Sequence, residues 1–566
     1  MTPSPHIPQN GAEALMTGLG SAGIDYLFAN AGTDFPPIIE ALASLDPGSM
    51  PIPVTVPHET AAVAMAHGAW LVSGRAQAVM VHVNVGLANS VMGVINAASD
   101  NIPMLVMSGR TPITERGRTG ARMTPIQYGQ EMFDQTSMVR DVVKYSYEMR
   151  YPEQGDQLVH RAMSIALSEP TGPVYLSLPK EPLSEAIPEA ARISRSPAPA
   201  STLAQPDANA IATAAAWLAE ARAPVLLVQR GDVAGKLSKA ISDLAQAHGI
   251  AVHEPFSIRN VMASDDPVLQ GYGPAGTKGA DLVIVVDSGT PWIEATQAPE
   301  DTARVIHIGP DPQFARMPVR GYQTDLAIAS DAVAAVQALQ AASQPGPKAA
   351  SCLARLAEAS AQRRASMRTT AESGARSPMS SEWISACVSD VMDDRAIVFS
   401  ELGLQAGCMD LKGPNRHFNN VHAGGLGWGF PAALGAQLMD RERLVVAAMG
   451  DGSYMFSNPV ACHQIAEALN LPILILVKNN GIWNAVRRSV VNGYPDGAAA
   501  RMNEMPLTSL QPLPDFAAIA RASRAHAERI EEGADLPDAL RRAVNIIRQE
   551  RRAVLLELRT EVSDSH

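Results

Sequence analysis

One stretch constrains the fold more tightly than any other. Residues 444–449 form an apolar run of strand length that stops at Gly450-Asp451-Gly452-Ser453, and a second such run, 472–478, ends in Asn479-Asn480. Residues 459–469, between them, have the spacing of a helix. The unit reads as strand, turn, helix, strand. Two strands joined this way run parallel, which puts Asp451 and the Asn pair at neighbouring carboxyl ends, the edge where open α/β sheets hold ligands. A carboxylate, an amide oxygen and a nearby carbonyl are hard oxygen donors suited to Mg2+ or Ca2+, and Mg2+ in particular is commonly held by one or two carboxylates and phosphate oxygens. Gly-Asp-Gly by itself also makes an ordinary tight turn. The 29 positions from Asp451 to Asn480 fit one helix plus one strand and favour the ligand site.

The same alternation fills the chain. Pro-, Ser- and Ala-rich stretches at 187–206 and 341–351 mark linkers and give blocks 1–186, 206–341 and 352–566. At 566 residues the chain exceeds one core. Within each block, apolar runs such as Ala78–Val81, 103–107, Pro224–Val228, Leu282–Val286 and 305–308 alternate with Ala-rich helical ones. The expected fold class is α/β, with three doubly wound parallel-sheet domains. A net charge of −12 and no basic stripe exclude a nucleic-acid surface. Four cysteines without C-x-x-C pairing read as reduced thiols. Residues 1–10 lack an export signal, and no apolar run approaches 18 residues, so the expectation is a cytoplasmic protein without a membrane span. No G-x-G-x-x-G with an acidic partner follows a strand, which argues against a dinucleotide dehydrogenase.

With Asp451, Asn479 and Asn480 so spaced, the chain resembles the thiamine diphosphate (ThDP)-dependent enzymes, whose signature is GDG followed by NN. The resemblance implies pyrimidine-binding, middle and diphosphate-binding domains in that order. It implies Asp451, Asn480 and the backbone oxygen of Ile482 as ligands of Mg2+, with Gly450, Gly452 and Ser453 facing the diphosphate and Trp483 beside them. Pro57-His58-Glu59-Thr60 is similar to the family's His-Glu motif, which makes Glu59 the carboxylate that bonds the aminopyrimidine and promotes loss of the thiazolium C2 proton. Residues 422–429, His-Ala-Gly-Gly-Leu-Gly-Trp-Gly, resemble the loop that bends the cofactor. There Leu426 would be the wedge, and the Gly424 carbonyl would accept the 4′-amino hydrogen. The turn 401–405 is similar to a second diphosphate contact, through the backbone of Gly403 and Leu404 and the Gln405 amide.

The substrate side resembles the benzoylformate decarboxylase branch. Thr33 matches a substrate-contacting Ser, His82 an active-site His, and His422 a further candidate facing the same pocket. Trp292 and Glu294 are expected to line it, and Asp34, Asn84 and Asn89 are candidates only. The paired His-His of pyruvate decarboxylases is missing, and Arg487-Arg488 stands where acetolactate synthases carry a Trp. The resemblance therefore implies a ThDP- and Mg2+-dependent C–C lyase, a 2-oxo acid decarboxylase working through a thiazolium enamine. The alternatives are an acetolactate synthase-like carboligase and a non-catalytic ThDP-binding paralogue. In the family the Glu matching Glu59 reaches a cofactor held by the other subunit, so the resemblance further implies a homodimer at least, and a homotetramer as the fuller expectation. No residue pattern decides whether FAD is bound.

Overall fold

The structure, a computed structural model, describes residues 7–192, 197–273 and 276–563. Residues 193–196 of the expected first linker lie outside the described residues. Each block builds one six-stranded sheet in which every strand pair is parallel. The first contains β1 (Tyr26–Ala29), β2 (Ile52–Thr55), β3 (Ala78–Val81), β4 (Leu105–Arg110), β5 (Ser146–Glu148) and β6 (Val174–Pro179), in the order β2-β1-β3-β4-β6-β5. The second contains β7 (Pro224–Val228), β8 (Ala251–His253), β9 (Leu269–Gly271), β10 (Leu282–Val286), β11 (Arg304–Gly309) and β12 (Leu326–Ala329), in the order β12-β11-β10-β7-β8-β9. The third contains β13 (Ile397–Glu401), β14 (His417–Phe418), β15 (Val445–Gly450), β16 (Leu474–Asn479), β17 (His526–Ile530) and β18 (Val554–Arg559), in the order β14-β13-β15-β16-β18-β17. The expected three doubly wound parallel sheets are the architecture found.

The strands form where they do because helices cover both faces. All four residues of β3 and all five of β10 are buried, and every one is apolar. The edge strand β2 buries only Val54. Sheet order also locates the ligand edges. Strand order reverses between β1 and β3 in the first sheet and between β13 and β15 in the third, and loops at such switch points form the crevices that hold ligands.

By its contacts the chain divides into two compact units, Met1–Thr202 with Val421–Arg441, and Leu203–Asn420 with Glu442–His566. The segment Val421–Arg441 thus leaves the third block and completes the first unit. Its helix Gly429–Met439 lies on the helix Glu59–Ser73 with almost no side chain between them. A Cβ on Gly68 would fall on the carbonyl oxygen of Ala432, and one on Gly435 on that of Met65, both inside the 3.0 Å that real Cβ atoms keep.

In the second unit, residues 258–264 run along β14: the backbone N–H of Asn260 donates to the His417 carbonyl (2.9 Å) and that of Asn419 to the Ile258 carbonyl (2.9 Å). Glu254 holds this segment from inside, accepting from the N–H groups of Val261 (2.9 Å) and Met262 (2.6 Å). Complete burial pushes its carboxyl up to about 8, against the pull of those N–H donors. A folded-state value above the unfolded one gives stability that is present at acid pH and lost as pH rises toward 8. Urea unfolding from pH 5 to pH 8 should show the wild type losing stability relative to Glu254→Gln by on the order of a few kcal/mol, the buried histidines held down to about 4 (His253, His307, His417, His463) changing both proteins alike. A pH dependence identical in the two proteins would refute the assignment.

Among the described residues no helix is long and apolar enough to cross a membrane. All four cysteines are unpaired thiols. The long helix Ala349–Ser373 was not anticipated. Trp292, expected at a pocket wall, is fully buried and packs edge-on against Tyr322 at 5.1 Å. Its indole N–H donates to the exposed Glu294, while Trp292 itself belongs to the second sheet's core.

Candidate active site

The site residues expected from the sequence fall into two groups, one in each unit. In the first unit Thr33, Glu59 and His82 lie at the switch point between β1 and β3, whereas the loop carrying His422, Gly424 and Leu426 lies at the far end of the helix Val83–Ser99. His82 ends β3 and caps the helix Val83–Ser99. Its Nδ1–H donates to Asp34 Oδ1 at 2.5 Å, while Asp34 Oδ2 accepts the Val83 backbone N–H at 3.2 Å. The Gln130 amide nitrogen lies 3.1 Å from His82 Nε2. The Asp34 hydrogen bond raises the imidazole pKa, outweighing the opposing effect of burial, and the charges of Asp34 and Glu59 add to it. Backbone fills the space around the pair: a Cβ on Gly32 would strike the His82 ring and one on Gly109 the Asp34 carboxylate. Thr33 is exposed on the same turn.

Glu59 is half-buried at the start of its helix, whose N-cap is His58; the His58 side chain accepts from the Thr60 N–H at 3.3 Å. Asn89 Nδ2 donates to Glu59 Oε2 at 3.1 Å, and the Asn89 carbonyl accepts from the Thr60 hydroxyl at 3.1 Å. Gly86 sits beneath Oε1. The loop 422–427 lies in the same unit. His422 is tied to the buried Asp100, with Nδ1 and the backbone N–H each 3.1 Å from Asp100 Oδ1. Burial acts to raise the Asp100 pKa, but the His422 hydrogen bond and charge outweigh it and hold the carboxyl below its usual range. Gly424 is exposed with φ +69°, and a Cβ there would meet nothing within 4 Å; Leu426 is half-buried.

In the second unit Gly450-Asp451-Gly452 passes directly from strand into helix and does not form the tight turn that is its alternative reading. Gly450 is extended (φ −67°, ψ 159°) and Asp451 opens the helix Asp451–Phe456 directly, its Oδ1 accepting the Gly452 N–H at 2.8 Å. The reason is that a carboxylate satisfies the free N–H groups of a helix start, so no left-handed residue is needed. Asp451 Oδ2 accepts from the N–H groups of Gly481 (2.7 Å) and Asn480 (3.2 Å), which ties the end of β15 to the end of β16. Asn480 Oδ1 accepts the Ile482 N–H at 3.1 Å, and Ser453 is buried. Asn479 turns away instead, its amide donating to Glu557 at 2.8 Å. The Trp483 ring lies over Gly452, where a Cβ would collide with it.

Gly403 passes so close to β15 that a Cβ would strike the Ala448 carbonyl, and the Leu404 N–H donates to Ser400 Oγ at 2.8 Å. The Gln405 amide donates to Glu382 at 3.2 Å. Lys478, which sequence reasoning passed over, donates from Nζ to the Leu402 carbonyl at 3.2 Å; burial brings its pKa down to about 8.

The donor set suits a hard cation better than a soft one. Among the described residues no group of three or more His, Cys, Asp or Glu side chains could hold a metal. An ion at β15 would depend on one carboxylate, one amide oxygen, one carbonyl and ligands from outside the chain. Burial raises the Asp451 pKa although four backbone N–H groups pull it down, so a nearby cation would stabilise the charged form. A Cβ on Gly450 would meet nothing within 4 Å, so internal packing does not explain that glycine; open space at a helix start suits a diphosphate.

Family descriptions of thiamine pyrophosphate enzymes match the chain in order: the N-terminal TPP binding domain over residues 9–138, the central domain over 211–339 and the C-terminal TPP binding domain over 403–558. The chain belongs to the ThDP-dependent enzyme family. It is 26% identical over 549 residues to an acetolactate synthase large subunit of Parasynechococcus marenigrum, covering 91% of this chain and 82% of that one. It is 26% identical over 540 residues to a benzoylformate decarboxylase of Pseudomonas aeruginosa, covering 89% and 91%. A probable 2-ketoarginine decarboxylase of the same organism is 25% identical over 529 residues, covering 90% and 87%. Among solved structures, a ThDP-dependent 4-hydroxybenzoylformate decarboxylase of Rhodococcus jostii shares the fold, with a TM-score of 0.77 at 21% identity over 98% of this chain and 100% of that one.

Sequence reasoning underrated Asp34 and missed Gln130. Asp34 stands 48 positions from His82, and only the pairing of β1 with β3 brings them together. For Gln130 no signal existed, because it reaches His82 from a loop without a motif.

Proposed function

We propose that this ThDP enzyme is a Mg2+-dependent 2-oxo acid decarboxylase that releases an aldehyde. The observation carrying the reading is the His82 imidazole, held by Asp34 and kept cationic to higher pH than a free histidine. The carbon that loses carbon dioxide must gain a proton before an aldehyde can leave, whereas a carboligase must keep that carbon unprotonated for a second carbonyl compound. A persistent acid at the head of the site favours the first outcome.

Bound ThDP supplies a nucleophilic carbon and an electron sink. Asp451, Asn480 Oδ1 and the Ile482 carbonyl would hold the ion, with Gly450, Gly452 and Ser453 toward the diphosphate. Glu59 would share a proton with the aminopyrimidine ring nitrogen of a cofactor held by a second copy of the chain, and His82 would deliver the proton from Nε2, its edge opposite Asp34. Thr33 would contact the substrate.

The identities to acetolactate synthases support carboligation as a second reading. Product analysis separates the two. Purified protein with ThDP and Mg2+ should convert benzoylformate, or another 2-oxo acid supplied alone, to its aldehyde. Formation of a hydroxyketone only when a second carbonyl compound is present, with no free aldehyde, would overturn the decarboxylase reading.

A further inference from the structure

The helix Val83–Ser99 starts beside His82 and Glu59, and its 17 residues carry the chain about 25 Å before it ends. At its far end stand Asn96 and Asp100, and both face the loop 422–427. Asn96 is buried, and its amide engages one residue from both sides: Nδ2 donates to the Gly425 carbonyl at 2.9 Å, and Oδ1 accepts the Gly425 N–H at 3.1 Å. Holding the N–H and the C=O of one residue fixes both peptide planes that flank it. Only glycine fits, because a Cβ on Gly425 would lie inside 3.0 Å of Met92 Sδ and of the Asn96 amide itself. Asp100 holds the same loop three residues earlier, at His422.

The residues on either side of this contact are the ones with chemistry to perform. Gly424, at φ +69°, precedes it, and Leu426 follows directly, before Gly427 at φ +88° and the buried Trp428. Flanked by left-handed glycines, the loop has little intrinsic stiffness, since such residues reach many conformations when free. Its shape must come from outside itself, and Asn96 supplies two of the constraints.

We propose that Asn96 is a positioning residue for the cofactor: by holding Gly425 from both sides it presents the Gly424 carbonyl and the Leu426 side chain in one orientation. This rests on the reading that the loop 422–429 bends ThDP. An asparagine that merely satisfied its own burial would use its amide on any neighbours. Here both ends reach the residue between the two proposed cofactor contacts, with Nδ2 also meeting Met92 Sδ at 3.3 Å one turn back on its own helix.

The test uses the full chain as wild type, Asn96→Ala and the near-isosteric Asn96→Asp, which keeps an acceptor but loses the donor. In protein without ThDP, amide exchange of residues 421–426 should quicken by about tenfold or more in Asn96→Ala, because the Gly425 N–H loses its partner. With ThDP and Mg2+ added, affinity by titration should stay within about threefold. Exchange of the cofactor's C2 proton for deuterium, read by NMR after acid quench, should slow by about 10–100-fold. Asn96→Asp should fall between, and it carries the test if Asn96→Ala does not fold. Wild-type C2 exchange in a variant that binds ThDP and shows the quickened amide would overturn the proposal alone. No uptake of ThDP by the wild type would overturn the functional reading and the proposal together.

Discussion

Glu59→Gln should lower kcat by about 10²–10⁴-fold, the range associated with loss of a general acid or base, while ThDP affinity stays within about threefold. The variant keeps the shape of the side chain and can still accept from Asn89 Nδ2, now at 3.1 Å from Oε2. It cannot share a proton with a ring nitrogen. Steady-state turnover, alongside a fluorescence titration of the cofactor, separates the two effects. Undiminished turnover would remove Glu59 from the chemistry and leave it as the acidic first residue of a helix, where a carboxylate is favourable for reasons of charge alone. A Cβ on Gly86 would lie 3.1 Å from Val81 Cβ and 3.3 Å from Glu59 Oε1, so a larger residue at that position would press on the carboxylate without replacing it.

The second large effect is on folding. Gly435→Ala should abolish soluble protein or lower stability by about 3 kcal/mol or more. In an open helix the same change would help by roughly 0.5–1 kcal/mol, because alanine has the better helix propensity. Here the added methyl meets the Met65 carbonyl oxygen, a backbone atom with no rotamer to escape into. The only relief is to part the helices Glu59–Ser73 and Gly429–Met439, which uncovers Phe430, Leu434 and Leu438 together. Gly68→Ala should behave alike from the other side. Thermal melting of either variant within a degree of the wild type would contradict the close backbone packing.

What could be read from the residues beforehand follows from what local pattern can express. The strands β3, β10 and β15 were plain because parallel strands covered on both faces are unbroken apolar runs. The third domain's motif was plain because its spacing matches one strand-to-strand crossover. Other features have no local signature. The helix Gly429–Met439 is apolar around its whole circumference, so nothing in it says which sheet it covers, and it belongs with the first unit. The Asp34–His82 bond, 48 positions apart, exists only once β1 lies beside β3. The Ala349–Ser373 helix went unseen because it buries only Ala349, Ser360 and Ala371, too few for an apolar stripe. The local form of the Gly450-Asp451 junction was not legible because a helix start and a tight turn use the same residues.

The return of residues 421–441 to the first unit has a consequence for the ribosome. A chain that has emerged only to Thr202 possesses the first sheet but not the helix that covers Glu59–Ser73. That apolar surface, with Gly68 bare, stays wet while the whole second sheet is being made, for roughly 10–50 s at synthesis rates of about 5–20 residues per second. During that interval the nascent chain is a natural client for a holding chaperone, and its earliest-made part is among the last to close.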